Sequence, residues 1–105
     1  MSWYDILPPD LKAVAYRAQS GELAWLREDA LRVISILENS GHRIIGVDTW
    51  IPTNPGPTPY IYDWAESRIK RLGSATEFVR KFNWNESDAD KIRFEPYFNI
   101  SVAQD

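Results

Sequence analysis

The sequence contains no cysteine and only one histidine, His42. The absence of cysteine excludes disulfide bonds and thiolate metal sites, and one histidine cannot build a multi-histidine metal centre. No stretch approaches the roughly 20 apolar residues of a membrane span. The start of the chain, Met1–Pro9, lacks the basic residues and apolar run of a secretory signal, so a cytoplasmic location is expected. We therefore expect no cofactor, no tightly bound metal and no membrane partner.

Lysine and arginine are missing from a long central stretch, which runs from Ile44 to Glu66 and contains Asp48, Asp63 and Glu66. Over the whole chain, 12 basic residues stand against 15 acidic ones, giving a net charge of −3. This balance argues against a general nucleic-acid binder, which needs a basic surface. A protein partner with a basic surface fits the charge better.

The chain has 105 residues, and this length predicts a single domain over residues 1–105. Its hydrophobic fraction of 44% is that of an ordinary globular protein with a core. Five Trp, five Tyr and four Phe are many for this length. We expect some of these aromatic residues to lie outside the core.

Two segments in the middle of the chain are typical of β-strands, Arg43–Ile51 and Tyr60–Trp64, because they are rich in β-branched and aromatic residues. The intervening residues 52–59 contain four prolines, which lack an N–H and cannot form a ladder-paired central strand. The pattern predicts a hairpin closed by a stiff loop.

Alternation along the first strand predicts one core face and one opposite face. The core set is Ile45, Val47, Thr49 and Ile51, and the opposite set is Ile44, Gly46, Asp48 and Trp50. In the second strand, Tyr60, Tyr62 and Trp64 share a face opposite Ile61 and Asp63. Two interpretations stay open: Asp48 and Trp50 lie on an exposed binding face, or Trp50 covers the sheet and Asp48 caps a turn.

Two helices are predicted before the hairpin. The first begins near Pro9, and its apolar face consists of Leu11, Val14, Ala15 and Ala18. The second and longest spans about Glu22 to Asn39, with Ser20 as its N-cap and Gly41 as its stop. Its apolar stripe consists of Leu23, Leu26, Ala30, Val33 or Ile34, and Leu37. We expect Trp25 to pack in the core or against another helix.

A third helix is predicted from Ala75 to about Phe82, because Ser74 and Glu77 form a capping-box pattern. Its inward residues are expected to be Phe78, Val79 and Phe82. The basic residues around it are Arg68, Lys70, Arg71, Arg80 and Lys81. Given the acidic total, a solvated helix face explains them better than a phosphate or RNA site.

The last predicted strand covers about 93–102. Its apolar set is Ile92, Phe94, Phe98, Ile100 and Val102, and the alternating set is Arg93, Glu95, Tyr97, Asn99 and Ser101. Pro96 within the run predicts an edge position or a bulge. The fold class is then α+β, with a small, mainly antiparallel sheet of about three strands packed against two or three helices.

Catalytic motifs are missing from the sequence: it has no nucleophile elbow, no phosphate-binding glycine loop and no zinc-ligand spacing. Asp48, Asp63 and Glu66 could in principle act as paired carboxylates or hold a hard cation, but nothing in their spacing requires it. Acidic residues beside Trp and Tyr fit recognition of a protein at least as well, because aromatic residues anchor interfaces. We expect a binding protein rather than an enzyme.

Several short motifs stand out in the first two thirds of the chain: Ala24-Trp25, Asp29-Ala30-Leu31, Gly41, Ile44 to Trp50, and Tyr62-Asp63-Trp64. Together they resemble the small α+β immunity proteins of bacterial polymorphic toxin systems, in particular the immunity protein family numbered forty. The family's strand tends to show Gly-Gly-Asp where this chain has Gly46-Val47-Asp48, and it tends to place a residue between the Asp and Trp that are adjacent here. In the family, the Trp and the Ala-Leu step share a helix.

The resemblance implies a non-enzymatic cytosolic protein that binds and blocks a cognate toxin domain. It carries over Asp48, Asp63 and Trp64 as partner-binding residues, and the strand geometry and charge add Trp50, Tyr62 and Glu66. Two other classes stay open, an adaptor subunit that uses the same hairpin and a small-ligand-binding domain or minor enzyme with aromatics around Asp48. The sequence does not determine the oligomeric state.

Overall fold

A single antiparallel sheet organises the chain in a computed structural model, which describes residues 3–18, 20–51, 74–84 and 95–103, and the backbone of 58–65. The strands are β1 (Tyr16–Arg17), β2 (Leu23–Trp25), β3 (Ile44–Ile51), β4 (Thr58–Ala65) and β5 (Tyr97–Val102). The helices are α1 (Pro9–Val14), α2 (Arg27–Asn39) and α3 (Ala75–Lys81), preceded by a 3-10 helix (Trp3–Ile6). The predicted α+β class is confirmed.

The strand order in the sheet is β1-β2-β5-β3-β4, with every neighbouring pair antiparallel. The three predicted strands correspond to β3, β4 and β5, and the short β1 and β2 extend the sheet to five. The strand β5 is central, so the edge position predicted from Pro96 is wrong; this proline lies just before the strand and removes no ladder hydrogen bond. Pro59 does lie in a strand, but this strand is β4, which comes last in the strand order and is therefore not central.

The helix α1 begins at Pro9 as predicted, but its extent and apolar face differ from the prediction. The chain turns extended at Ala15 and enters β1, so Ala18 lies beyond the helix. Val14 is 55% exposed, and Leu11 is the buried residue of this helix. Because six residues make less than two turns, only a short face can pack.

The long helix begins at Arg27 rather than Glu22, because Leu23–Trp25 forms the strand β2. All three strand residues are buried, and they pair with β1 on one side and β5 on the other. Ser20 is therefore not the N-cap of α2; its hydroxyl accepts a hydrogen bond from the Glu22 N–H instead (3.4 Å). Trp25 consequently belongs to a strand, unlike the helical Trp of the family that the motifs resemble.

Two predicted signals for helix ends are confirmed, the stop at Gly41 and the N-cap at Ser74. Gly41 has φ +85 and ends α2, with its N–H bonded to the Glu38 carbonyl and the His42 N–H bonded to the Leu37 carbonyl. At α3, the Ser74 hydroxyl accepts a hydrogen bond from the Glu77 N–H (3.1 Å). Such local caps depend only on nearby residues, so the sequence predicts them well.

A bulge in β3 changes which face the first residues of that strand occupy. Ile44 pairs with Val102 and Gly46 with Ser101, leaving Ile45 as an extra residue. Ile44 is therefore buried and Ile45 is 38% exposed, the reverse of the predicted alternation. Further along the strand, Val47 and Thr49 of the predicted core set are buried, whereas Ile51 is half-buried.

The core lies between the sheet and its helices, since α2 contacts β2, β3 and β5 and α3 contacts β3. Arg27 joins the two helices by donating to the Arg80 and Phe82 carbonyls at the end of α3 (3.0 and 2.7 Å). Val79 and Phe82 are buried in the core cluster and Phe78 packs against it, as predicted. Within the described residues, every helix is too short or too polar to cross a lipid bilayer.

Candidate binding surface

The face of the sheet that points away from α2 and α3 carries the residues of greatest functional interest. Register alignment identifies this outer face, because Val47, Phe98 and Trp25 belong to the core cluster and their strand neighbours alternate with them. One row across β1, β2, β5 and β3 consists of Tyr16, Ala24, Asn99 and Asp48. A second row pairs Tyr97 on β5 with Trp50 on β3.

Two tyrosines meet on this outer face although their strands are not neighbours. The Tyr16 and Tyr97 ring centroids are 5.2 Å apart, and β2 runs between β1 and β5. On β2, the register partner of Tyr16 is Ala24, whose side chain is small and completely buried, and Ala24 in turn pairs with Asn99, two residues from Tyr97.

Asp48 lies on the same face and is exposed to solvent. Its register partner on β5 is Asn99, which is buried and donates a side-chain hydrogen bond to the Leu23 carbonyl (2.9 Å). Its register partner on β4 is Asp63. Two aspartates thus occupy directly opposite positions on paired strands.

The predicted partner-binding residues fall into three groups. Asp48 is exposed, whereas Trp50 is only 6% exposed and so offers little of its ring to a partner. Tyr62, Asp63 and Trp64 belong to β4, where the register places Asp63 opposite Asp48 and Trp64 opposite Val47. Glu66 lies outside the described residues, as do the basic positions 68, 70 and 71.

Tyr16 and Tyr97 were not predicted as functional residues. A signal for Tyr97 was present, because in the sequence it alternates with the apolar Phe98 and Ile100 and is therefore expected to face away from the core. No comparable signal exists for Tyr16, whose strand has two residues and depends on pairing with β2. The tyrosine pair is a product of the sheet order.

A buried hydroxyl marks an irregular point in the hairpin. The register of β3 against β4 shifts between two residue pairs, Asp48 with Asp63 and Trp50 with Pro59. Thr49 alone therefore faces three residues of β4, 60–62. Thr49 is completely buried, and within the described part of the chain its Oγ1 has no hydrogen-bond partner. Because an unpaired buried hydroxyl is costly, this point of β3 is a local weakness of the fold.

Metal chemistry and homology add no further assignment to this surface. Across the described part of the chain, no group of three His, Cys, Asp or Glu residues is placed to hold a metal ion. Comparison of the chain with protein-family models, curated proteins and solved structures found no significant match. The surface must therefore be interpreted from its own geometry and chemistry.

Proposed function

We propose that this protein neutralises a bacterial toxin domain by stoichiometric binding, and that the acidic hairpin β3–β4 forms part of the contact. The observation that carries the proposal is the direct register pairing of Asp48 with Asp63. This register brings two acidic residues to the same point of the hairpin, and such a concentration of acidic residues favours a partner with a basic surface.

The charge of the hairpin supports a basic partner. The stretch Ile44 to Glu66 has no lysine or arginine, so its negative field is not neutralised from within the segment. Complementary charge across an interface mainly increases the association rate and the specificity. A nuclease-like toxin with a basic active site is the kind of partner that such a surface would attract.

The immunity class comes from the resemblance of the Gly46-Val47-Asp48 and Tyr62-Asp63-Trp64 motifs. An immunity protein needs no catalytic group, and it blocks its target by covering a surface. The same hairpin could also serve an adaptor subunit or a small-ligand-binding domain, and the experiment below distinguishes these functions.

The test is to co-express this chain with the C-terminal domain encoded by its upstream gene neighbour. We expect survival of the cells and a one-to-one complex that persists through purification. Survival should be lost with Asp48→Lys or Asp63→Lys, and association measured at low salt should slow by about tenfold. Added salt should reduce the difference, because exposed charges are screened beyond about 8–10 Å.

The matched control is Glu38→Lys, which makes the same charge change at an exposed position on α2. It should leave protection and association unchanged, and circular dichroism should show all three variants folded. If the cells die with the wild-type chain and no complex forms, the immunity function is wrong and the adaptor function becomes the better hypothesis.

A further inference from the structure

The hairpin β3–β4 contains two different strand registers side by side. Three consecutive pairs at the start of β3 share one register: Gly46 with Ala65, Val47 with Trp64, and Asp48 with Asp63. Two pairs at the end of β3 share another: Trp50 with Pro59, and Ile51 with Thr58. The two registers differ by two residues, which β4 accommodates in a bulge at residues 60–62, opposite Thr49.

The strand β3 is held in place on its other side. It makes five consecutive pairs with β5, from Gly46 with Ser101 to Trp50 with Tyr97. The strand β4 comes last in the strand order, and in the described part of the chain it pairs with β3 alone. A change of register in this hairpin would therefore move β4 and leave β3 where it is.

A shift of two residues preserves the face on which each residue of a strand lies, because side chains alternate with a period of two. The sequence of β4 repeats at the same spacing, with Tyr60, Tyr62 and Trp64 as alternate residues. If the bulge closes, Tyr62 takes the place of Trp64 opposite Val47, so that one aromatic residue replaces another. For its aromatic residues, the sequence of β4 thus fits both registers.

The bulge coincides with an unsatisfied polar group. Thr49 is completely buried, and its Oγ1 has no hydrogen-bond partner among the described residues. Because such a group is costly, the bulged hairpin is not a fully satisfied one. Closing the bulge would place Tyr60 alone opposite Thr49, while Thr58 and Pro59 would keep their present partners on β3.

We propose that β4 exchanges between the observed bulged register and a closed register, in which residues 60–63 pair in succession with Thr49 back to Gly46. In the closed register Asp63 lies opposite Gly46 instead of Asp48, a displacement of two residues or about 6–7 Å along the strand. The exchange thus brings together or separates the two aspartates of the hairpin. Its role in partner binding rests on the proposed function above, whereas the exchange itself is a property of this chain alone.

Disulfide trapping tests the exchange directly, because the native chain has no cysteine. Gly46→Cys is combined with Ala65→Cys or Asp63→Cys, and the disulfide yield in a glutathione redox buffer is measured by peptide mass mapping. The first pair reports the observed register and the second the closed one, and both should cross-link. In the bulged register, residues 46 and 63 are diagonal neighbours with Cα atoms about 7–8 Å apart, too far for a disulfide unless the backbone moves.

The matched control combines Gly46→Cys with Trp64→Cys, since a shift of one residue reverses the faces of β4 and directs the two cysteines apart. This pair should stay reduced, and a yield equal to that of the Asp63→Cys pair would show general fraying and overturn the proposal. Gly46→Cys alone and urea denaturation of each variant identify any loss of folding. A folded Asp63→Cys variant that stays reduced while the Ala65→Cys pair cross-links would also overturn it.

Relaxation-dispersion NMR of the wild-type protein provides a second measurement without substitutions. Exchange on the microsecond-to-millisecond timescale is expected at residues 60–65 and Thr49, but not in α2. Deletion of Ile61 and Tyr62 leaves a partner for every β3 residue that now pairs with β4 and removes the two extra residues, so the exchange should disappear. Its persistence in the folded deletion variant, or a flat profile in the wild type, would contradict the proposal.

The two proposals can fail separately. If the neighbouring gene's domain forms a complex but the free chain shows no exchange, the change of register fails and the immunity function stands. If the exchange is present and no complex forms, the immunity function fails and the change of register stands. When both hold, binding should suppress the exchange; a complex in which it persists unchanged would mean that the register does not regulate binding.

Discussion

The two faces of the sheet use aromatic residues in opposite ways. On the inner face, Trp25 and Phe98 are completely buried in the core cluster. On the outer face, Trp50 is buried outside that core cluster, and Tyr16 and Tyr97 are half-buried beside the exposed Asp48. The first set excludes water from the interior, whereas the outer Tyr16 and Tyr97 are partly exposed and Asp48 is exposed.

This difference indicates how the chain divides stability from recognition. The inner Trp25 is held by its own hydrogen bond, from Nε1 to the Leu11 carbonyl (2.8 Å), and by the rings of Trp3 and Tyr4, with centroids 6.2 Å away. The outer face contains the buried polar residue Asn99, whose side-chain amide donates a hydrogen bond to the Leu23 carbonyl. Mutations on the inner face should therefore mainly lower the free energy of unfolding, and those on the outer face should mainly weaken binding of a partner.

The largest effect is expected at Trp25. Trp25→Ala should cost about 3–5 kcal/mol of unfolding free energy, because it removes a buried ring and leaves a cavity. It also leaves the Leu11 carbonyl without its donor. Urea denaturation followed by circular dichroism measures the loss. A variant that unfolds at the wild-type urea concentration would mean that Trp25 does not anchor the inner face.

A smaller loss is expected for Trp50→Ala, about 3 kcal/mol at most. The ring is 6% exposed and outside the core cluster, so its removal should disturb fewer core contacts than the loss of Trp25. The same denaturation experiment compares the two variants directly. Trp50→Phe is the control, since it keeps an aromatic ring. If Trp50→Ala is stable but releases its partner faster, the ring acts at the interface.

A gain in stability is expected for Thr49→Val, about 1–2 kcal/mol, because it replaces a buried hydroxyl that has no partner among the described residues with a methyl group of similar shape. Thr49→Ser is the control; it keeps the hydroxyl and should gain nothing. The midpoint of urea unfolding provides the measurement. A loss of stability in Thr49→Val would show that the hydroxyl has a partner, such as a bound water.

The smallest effect concerns Tyr4, whose hydroxyl accepts a hydrogen bond from the Leu23 N–H (3.0 Å). Tyr4→Phe should cost about 1 kcal/mol at neutral pH. Burial raises the pKa of the Tyr4 hydroxyl above its ordinary value of 10.0. The stability that this shift contributes is therefore complete below about pH 10 and is lost as the pH rises through the pKa of the folded state.

Urea denaturation of wild type and Tyr4→Phe between pH 8 and pH 11 checks this expectation. The difference between the two proteins should be constant up to about pH 10 and then shrink. A difference that grows above pH 10 would mean that the folded state favours the ionised hydroxyl.

The features that the sequence determined by itself are local ones. Each of them depends on residues within a few positions of one another. They are the cap at Ser74, the stop at Gly41, the helix start at Pro9 and the strand character of β3. The acidic, base-free hairpin is likewise readable without a structure. These signals are reliable because the hydrogen bonds of the cap and the stop close within a single turn, and the strand prediction depends on the local run of β-branched and aromatic residues.

Tertiary pairing decided the rest. Leu23–Trp25 has apolar spacing that suits a helix, but it becomes a strand because β5, more than 70 residues later, supplies hydrogen-bond partners at Phe98 and Asn99. The bulge at Ile45 and the burial of Trp50 likewise depend on neighbouring strands. The Tyr16–Tyr97 contact exists only because the sheet order places β1 and β5 on either side of Ala24. Local sequence cannot specify such features, since their free energy comes from contacts between segments that are distant along the chain.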